Sequence, residues 1–325
     1  MAGFDPWTWQ PSSPARAERA VQLLRLEGPD TLRFLHGQTS QDLQTQRPGA
    51  WVSSCCLSPT GRLLALAEVL VDEGGAWLVI TAGAAAAVRA AFDRVLFPAD
   101  DVRLGELRPA LETAAVEGGD PFAASAAAEA GWRPLDGGEG WWLGGRLVRS
   151  EATPLPADLA RRPPLAEWAL ELLRIRAGRP VAPAEIGDAT NPFELGLASR
   201  VSLAKGCYVG QETLARLATY DGVKQQLRRW RRLDPDGATP QAPVAAGTVL
   251  RTAAGERAGT VTSALALPPA ETGTAGLVVG LALVRRAALD GPALLADDQG
   301  GAELEPSLPD AFVAPPVGAG GGPAS

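Results

Sequence analysis

Among its 325 residues the chain holds one histidine, three cysteines, one methionine and two tyrosines. A structural zinc site needs four nitrogen or sulfur ligands at short, characteristic spacings. His36, Cys55, Cys56 and Cys207 contain no CxxC pair and lie in three separate places. Adjacent residues on a strand point to opposite faces, so Cys55 and Cys56 are poorly placed to share an ion. An iron–sulfur cluster commonly takes four thiolates, which three cysteines do not supply, and no metal site is expected. A cysteine–histidine nucleophile would have to use His36, and no third orienting residue is indicated, which argues against a hydrolase. A helix-end histidine of this kind is more simply a capping or surface group. The low, odd cysteine count points to a reducing compartment without a disulfide framework.

Long apolar runs are also missing. The stretch LLALAEVLV (63–71) is too short to span a bilayer. The N-terminus has no signal-peptide core, and Asp5, Pro6, Pro11 and Pro14 interrupt any presequence helix. The expectation is a soluble cytoplasmic protein, acting as a monomer, with no membrane contact. A net charge of −7 disfavours direct nucleic-acid binding, so an anionic ligand must meet a local basic patch.

Turn formers, by contrast, are plentiful: 37 glycines and 28 prolines divide the chain into short periodic segments. Pro29 sets the start of a short helix, TLRFLHGQ (31–38). WVSSCCLS (51–58), RLLALAEVLVD (62–72) and AWLVI (76–80) read as strands separated by Pro59-Thr60-Gly61 and Glu73-Gly74-Gly75. A helix over Ala84–Leu96 and a strand over Val102–Leu107 complete one α+β unit. A second unit is expected to about residue 200, with a strand near 141–149 and a helix over Leu165–Ala177. From Val223 onward, short β-type runs at even spacing predict a small closed antiparallel barrel. The fold class is thus α+β, with two ferredoxin-like subdomains in residues 1–222, divided near 105–110. A C-terminal barrel follows over 223–314, and residues 315–325 form a disordered tail.

One string stands apart. KGCYVGQE (205–212) sets Cys207 two residues from Lys205, just before a helix that starts near Gly210. An ammonium and a helix N-terminus both favour thiolate, which would make Cys207 a tuned, functional thiol. By spacing alone, a small buried filler in a tight turn is the commoner fate of such a cysteine.

KGCYVGQE resembles the signature of the YgfZ family of folate-binding proteins, relatives of the glycine-cleavage aminomethyltransferase and of a mitochondrial iron–sulfur assembly factor. The resemblance extends in order through FLHGQTSQDL (34–43), LSPTGRLLA (57–65), LRIRAGRP (173–180), NPFELGLASRVSLAKGCYVGQE (191–212) and ARLATYDGVKQQLRR (215–229). It covers roughly residues 20 to 290. It implies two α+β subdomains and a barrel around a central pocket for folate, as tetrahydrofolate or a derivative. The implied role is maintenance of iron–sulfur enzymes, including those that thiolate tRNA, with iron–sulfur client or assembly proteins as partners. The functional motif would be Lys205, Gly206, Cys207, Tyr208, Gly210, Gln211 and Glu212. Folate contacts would come from Asn191, Glu194, Arg176, Gln211 and Arg228.

The sequence also departs from the aminomethyltransferases. Ala65 and Leu66 stand where those enzymes carry a carboxylate that handles the proton of one-carbon transfer, so no glycine-cleavage activity is expected. Arg176 replaces a glutamate suited to pterin recognition. Glu194 can hydrogen-bond a pterin or simply start a helix after Pro192. KQQLRRWRRL (224–233) offers cations for a folate carboxylate, or forms a solvated barrel edge kept soluble by charge. A folate-dependent transferase and a non-catalytic binding scaffold remain the alternatives.

Overall fold

Strand β1 (Ala15–Glu27) runs through the middle of the main sheet of the computed structural model, which describes residues 4–122, 131–232, 244–272, 277–296 and 302–318. Helix α1 (Thr31–Gln38) follows it, then strands β2 (Trp51–Leu57), β3 (Leu63–Asp72) and β4 (Gly75–Gly83). The β2–β3 and β3–β4 hairpins turn where proline, glycine and acidic residues cluster, as turn chemistry requires. Helix α2 (Ala85–Val95) leads to β5 (Arg103–Val116). Strands β6 (Trp132–Pro134), β7 (Gly140–Leu143) and β8 (Arg146–Arg149) complete an eight-stranded sheet of order β2-β3-β4-β1-β5-β8-β7-β6.

Both faces of the central strands are covered. Phe34, Leu35, Val88 and Phe92 from α1 and α2 pack on Leu24, Leu26, Val69 and Leu78, with the Phe34 and Phe92 rings edge-to-face at 5.6 Å. On the opposite face Val21, Leu23, Leu70 and Val79 meet Trp51, Leu143 and Val148. Double burial explains why β3 reads as a nearly continuous apolar run rather than an alternating one. β5 passes unbroken through 105–110, where a subdomain division was expected, and joins the two halves into one sheet.

Helix α3 (Ala157–Ala160) and helix α4 (Glu167–Ala177) then return the chain across the sheet, α4 burying Leu172, Leu173 and Ile175. A 3₁₀ turn over Ala198–Arg200 and helix α5 (Gln211–Thr219) close this part. Beyond it come β9 (Gln225–Arg232), β10 (Val249–Arg251), β11 (Arg257–Ala266), α6 (Pro269–Thr272), β12 (Val278–Arg285), β13 (Leu294–Ala296) and β14 (Ala302–Ser307). These six strands form the expected closed antiparallel barrel, in the order β10-β11-β12-β9-β14-β13.

Within the barrel Trp230 is fully buried against Gly280, where a Cβ would lie 2.4 Å from the indole. On the other face of β9, Leu227 joins Phe193, Leu195, Leu214 and Leu281 and so ties the barrel to the sheet part. Because β9 pairs with β12 on one side and β14 on the other, it is no solvated edge. Arg229 instead binds Asp310 at 2.6 Å and stacks over Trp7, and Arg231 pairs with Glu305. Leu233, at the end of the basic run, lies outside the described residues. So does most of the expected tail, residues 319–325, although the Gly318 amide donates to the Ala218 carbonyl at 3.2 Å. Among the described residues, no helix is long and apolar enough to cross a membrane.

Candidate functional site

Lys205 to Gly210 form a tight loop that delivers the chain into α5. Gly210 holds the position before the helix with φ of 82°, a conformation glycine reaches without strain. Gln211 stitches the loop together: its Oε1 accepts from the Tyr208 amide at 3.3 Å, and its amide group donates to the Lys205 carbonyl at 3.3 Å. The Val209 amide donates to the Gly37 carbonyl at 3.0 Å, docking the loop on the end of α1. Glu212 is exposed and pairs with Arg216 one helical turn on, a contact of little energetic weight.

The Lys205 ammonium is buried. It donates to the carbonyls of His36, of Thr39 at 2.7 Å and of Gln41 at 2.8 Å, and lies 4.4 Å from the centre of the Tyr208 ring. An ammonium has three hydrogens, and three carbonyls take them. Burial pushes this group down to about 7, against the pull of Asp42. The side chain therefore anchors the 36–41 loop, and its hydrogen bonds do not go to Cys207. Cys207 itself is exposed on the loop, which rules out the alternative of a buried filler. Tyr208 is buried, its hydroxyl lacks a hydrogen-bond partner, and burial raises its pKa. His36 packs beside the motif rather than at the surface. Its Nδ1 lies 3.1 Å from Asp42 Oδ1, and a Cβ on Gly206 would lie 3.7 Å from its Nε2.

The residues expected to contact folate fall into separate places. Asn191 and Glu194 form a reciprocal capping box: Asn191 Oδ1 accepts from the Glu194 amide at 3.2 Å, and Glu194 Oε2 accepts from the Asn191 amide at 3.0 Å. Burial raises the Glu194 pKa, partly offset by that amide and by Arg62 at 3.9 Å. Arg176 points toward the N-terminal segment, donating to the carbonyls of Trp9 at 2.7 Å and Gly118 at 2.5 Å, with Asp310 at 3.4 Å. Arg228 sits on β9 over the Phe312 ring, donating to Gln226 Oε1 at 2.8 Å, and burial lowers its pKa. Gln211 serves the motif loop, as above.

A cavity opens between the sheet and the end of α4. Its walls come from β1 (Arg19), β3 (Leu66), β4 (Thr81, Ala82), Phe122, residues 177–180, residues 195–197, Ser199, Arg200 and Ala311. Among the described residues, none of the barrel strands contributes. Behind the wall lies a buried charge cluster that the sequence reading did not find. Glu68 on β3 accepts from Trp51 Nε1 at 2.7 Å, Ser53 Oγ at 2.5 Å and Arg200 Nη2 at 3.0 Å. Burial alone would raise its pKa, but Arg200 and Arg146 outweigh that and hold it down to about 2. Glu112 on β5 binds Arg19 at 2.6 Å and Arg146 at 2.9 Å. The signal was present: Glu68 is the single acid in LLALAEVLV, and a lone acid in a doubly buried strand must find a cation.

Motif and cavity share one loop. The 39–41 backbone that Lys205 holds also fixes Arg200, since Ser40 Oγ donates to the Arg200 carbonyl at 2.5 Å. Gln41 Nε2 donates to the Ser199 carbonyl at 2.9 Å, and the Ser202 amide to the Ser40 carbonyl at 2.8 Å. Among the described residues, no group of three His, Cys, Asp or Glu side chains gathers as metal ligands would.

No protein-family model matches the chain. A chloroplastic protein of Arabidopsis thaliana that carries a provisional transferase name is 28% identical over 227 residues, covering 63% of this chain and 52% of that protein. The chain thus spans about half the length of this curated relative. The crystal structure of the glycine cleavage system aminomethyltransferase T from Bartonella henselae superposes with a TM-score of 0.65 at 19% identity, covering 96% of this chain and 89% of that one. The chain has the aminomethyltransferase fold.

Proposed function

We propose that this chain is a folate-binding accessory protein that supports iron–sulfur cluster assembly or repair, and through it the iron–sulfur enzymes that modify tRNA. The observation that carries the reading is the lining of this pocket, which is mostly apolar with a few convergent polar groups, as small-molecule sites are built. The resemblance carried by KGCYVGQE and the aminomethyltransferase fold support a pteridine there.

Binding without group transfer follows from β3. Leu66 faces the cavity, Ala65 beside it is buried, and among the described residues no acid lines the wall. Glu68, two residues on, is held ionised by Arg200 and Arg146 and hydrogen-bonded on both oxygens, so it is no proton carrier. On this reading the protein works in the cytoplasm as a monomer, meeting folate and iron–sulfur client proteins rather than nucleic acid or a membrane.

Isothermal calorimetry with tetrahydrofolate on the purified protein tests the pocket. Saturable binding is expected, and no heat at millimolar ligand would remove the reading. An aminomethyl-transfer assay is expected to show no turnover; turnover would favour the transferase alternative. In a strain deleted for the gene, iron–sulfur enzyme activity is expected to return with the wild-type chain.

A further inference from the structure

We infer that the side of the cavity built from Arg200, at the end of the 3₁₀ turn, and Arg19, on β1, is a carboxylate subsite. The inference deepens the folate reading and rests on it for the source of the carboxylate. Of the described residues that line the cavity, Arg19, Arg179 and Arg200 are cationic and none is acidic. Arg200 is buried at 7% exposure. Its Nη2 binds Glu68, while its Nη1 is buried without a hydrogen-bond partner. Glu68 has little left to give it, because its other oxygen already accepts from Trp51 and Ser53.

Charge counting points the same way. Arg200 pairs with Glu68, Arg179 with Asp120 at 2.7 Å, and Arg19 and Arg146 must share Glu112. Among the described residues, these four guanidiniums, Arg200 and Arg146 buried and Arg19 and Arg179 half-buried, face three carboxylates, which leaves one positive charge unmatched. Cys55 does not supply an anion, since burial pushes its thiol up to about 11. The Arg200 guanidinium stays charged: burial works against it, but Glu68 outweighs that. A buried guanidinium with a free donor is costly to leave unpaired, and a planar carboxylate matches its geometry. A carboxylate in the cavity would satisfy the donor and neutralise the cluster. It can come from the glutamate arm of a folate or from a free small carboxylate.

The test compares ligands with and without that group by calorimetry and by thermal shift. Tetrahydrofolate and p-aminobenzoylglutamate carry the carboxylates; 6-methyltetrahydropterin carries none, and glutarate is the carboxylate alone. Arg200→Gln removes the charge, whereas Arg200→Lys keeps the charge and a bond to Glu68 but loses the second donor. The lysine variant decides the matter if the glutamine variant fails to fold. Both variants are expected to weaken tetrahydrofolate by about ten- to a hundredfold, the loss of a charged hydrogen bond, and to leave 6-methyltetrahydropterin within about threefold of wild type. Unchanged tetrahydrofolate affinity in both, or an equal loss for 6-methyltetrahydropterin, overturns the subsite. If no pteridine binds the wild-type protein but glutarate or p-aminobenzoylglutamate stabilises it and not Arg200→Lys, the folate reading fails and the carboxylate subsite stands. If none of the four probes acts at millimolar concentration, the subsite is refuted.

Discussion

Gly210 and Gly61 back onto each other where the loop before α5 meets the β2–β3 turn. A Cβ on Gly210 would lie 3.0 Å from Gly61 Cα and 2.9 Å from the Ser58 carbonyl oxygen; a Cβ on Gly61 would lie 3.0 Å from Thr213 Cβ. Both glycines have positive φ, 82° and 74°. Two of the strings that carry the family resemblance, LSPTGRLLA and KGCYVGQE, are therefore a single packed unit.

Gly210→Ala is expected to destabilise the protein by about 2–4 kcal/mol, from left-handed backbone strain plus overpacking against backbone atoms. Gly37, inside α1 with nothing within 4 Å of a would-be Cβ, is the contrast. Gly37→Ala should be neutral or stabilising by up to about 1 kcal/mol, because glycine is a poor helix former. Urea denaturation midpoints check both. Equal stability of Gly210→Ala and wild type would show that the two turns can slide apart.

Lys205→Met removes the donor for three carbonyls at once. Hydrogen exchange at the Val209 and Ser202 amides, which bridge the same two loops, should quicken. A pH signature should disappear as well. The folded Lys205 value of about 7 lies below its unfolded value of 10.5, so between these limits the unfolded state binds more protons. Its contribution to stability is therefore complete above the unfolded value and lost as pH falls to about 7. Denaturation at several pH values from 7 to 10 should show a smaller rise in Lys205→Met than in wild type.

Glu68 sets the acid side. Its pKa falls from 4.5 to about 2 in the folded chain, because Arg200 and Arg146 outweigh burial. A depressed carboxylate stabilises fully above its unfolded value and loses that contribution as pH drops from 4.5 through about 2, roughly 3 kcal/mol by linkage. In Glu68→Gln the acid limb of the stability profile should flatten over this window. The variant should also be several kcal/mol less stable at neutral pH, because Arg200 is left buried and unpaired. A profile that keeps its wild-type acid limb would place the titrating group elsewhere.

What could be read from the sequence was local. Pro29 fixes the start of α1, and the turn residues at 59–61 and 73–75 fix the β2–β3–β4 hairpins within a residue or two. β1 went unseen because ARAERA is made of good helix formers; it is a strand only because β4 and β5 flank it. β5 outruns its expected end at Leu107 because Pro109 lies where β8 does not reach. β8 pairs only with Leu111–Ala114, so the missing amide costs no ladder bond there. Lys205 looked like a partner for Cys207 because the two are close in sequence. Its true partners, His36, Thr39 and Gln41, come from a distant segment that the fold brings underneath it. Arg200 and Glu68 meet in the same way, from a 3₁₀ turn and a strand that no local pattern links.

The exposure of Cys207 allows a sharp test of the reactive-thiol idea. Cys55 and Cys56 are fully buried, with thiols pushed up to about 11 and about 12 by burial, whereas Cys207 is open to solvent. A thiol reagent should therefore modify one cysteine quickly in the folded protein and three only after denaturation. Cys207→Ser should abolish the fast reaction and leave stability within about 0.5 kcal/mol, as expected for an exposed side chain. Complementation of a deletion strain then separates two roles. Loss of iron–sulfur enzyme activity in Cys207→Ser, with tetrahydrofolate binding intact, would mean that the sulfur itself acts. Full restoration would mean that KGCYVGQE serves by architecture alone, through Lys205, Gln211 and Gly210, and that the thiol is a bystander on its outer surface.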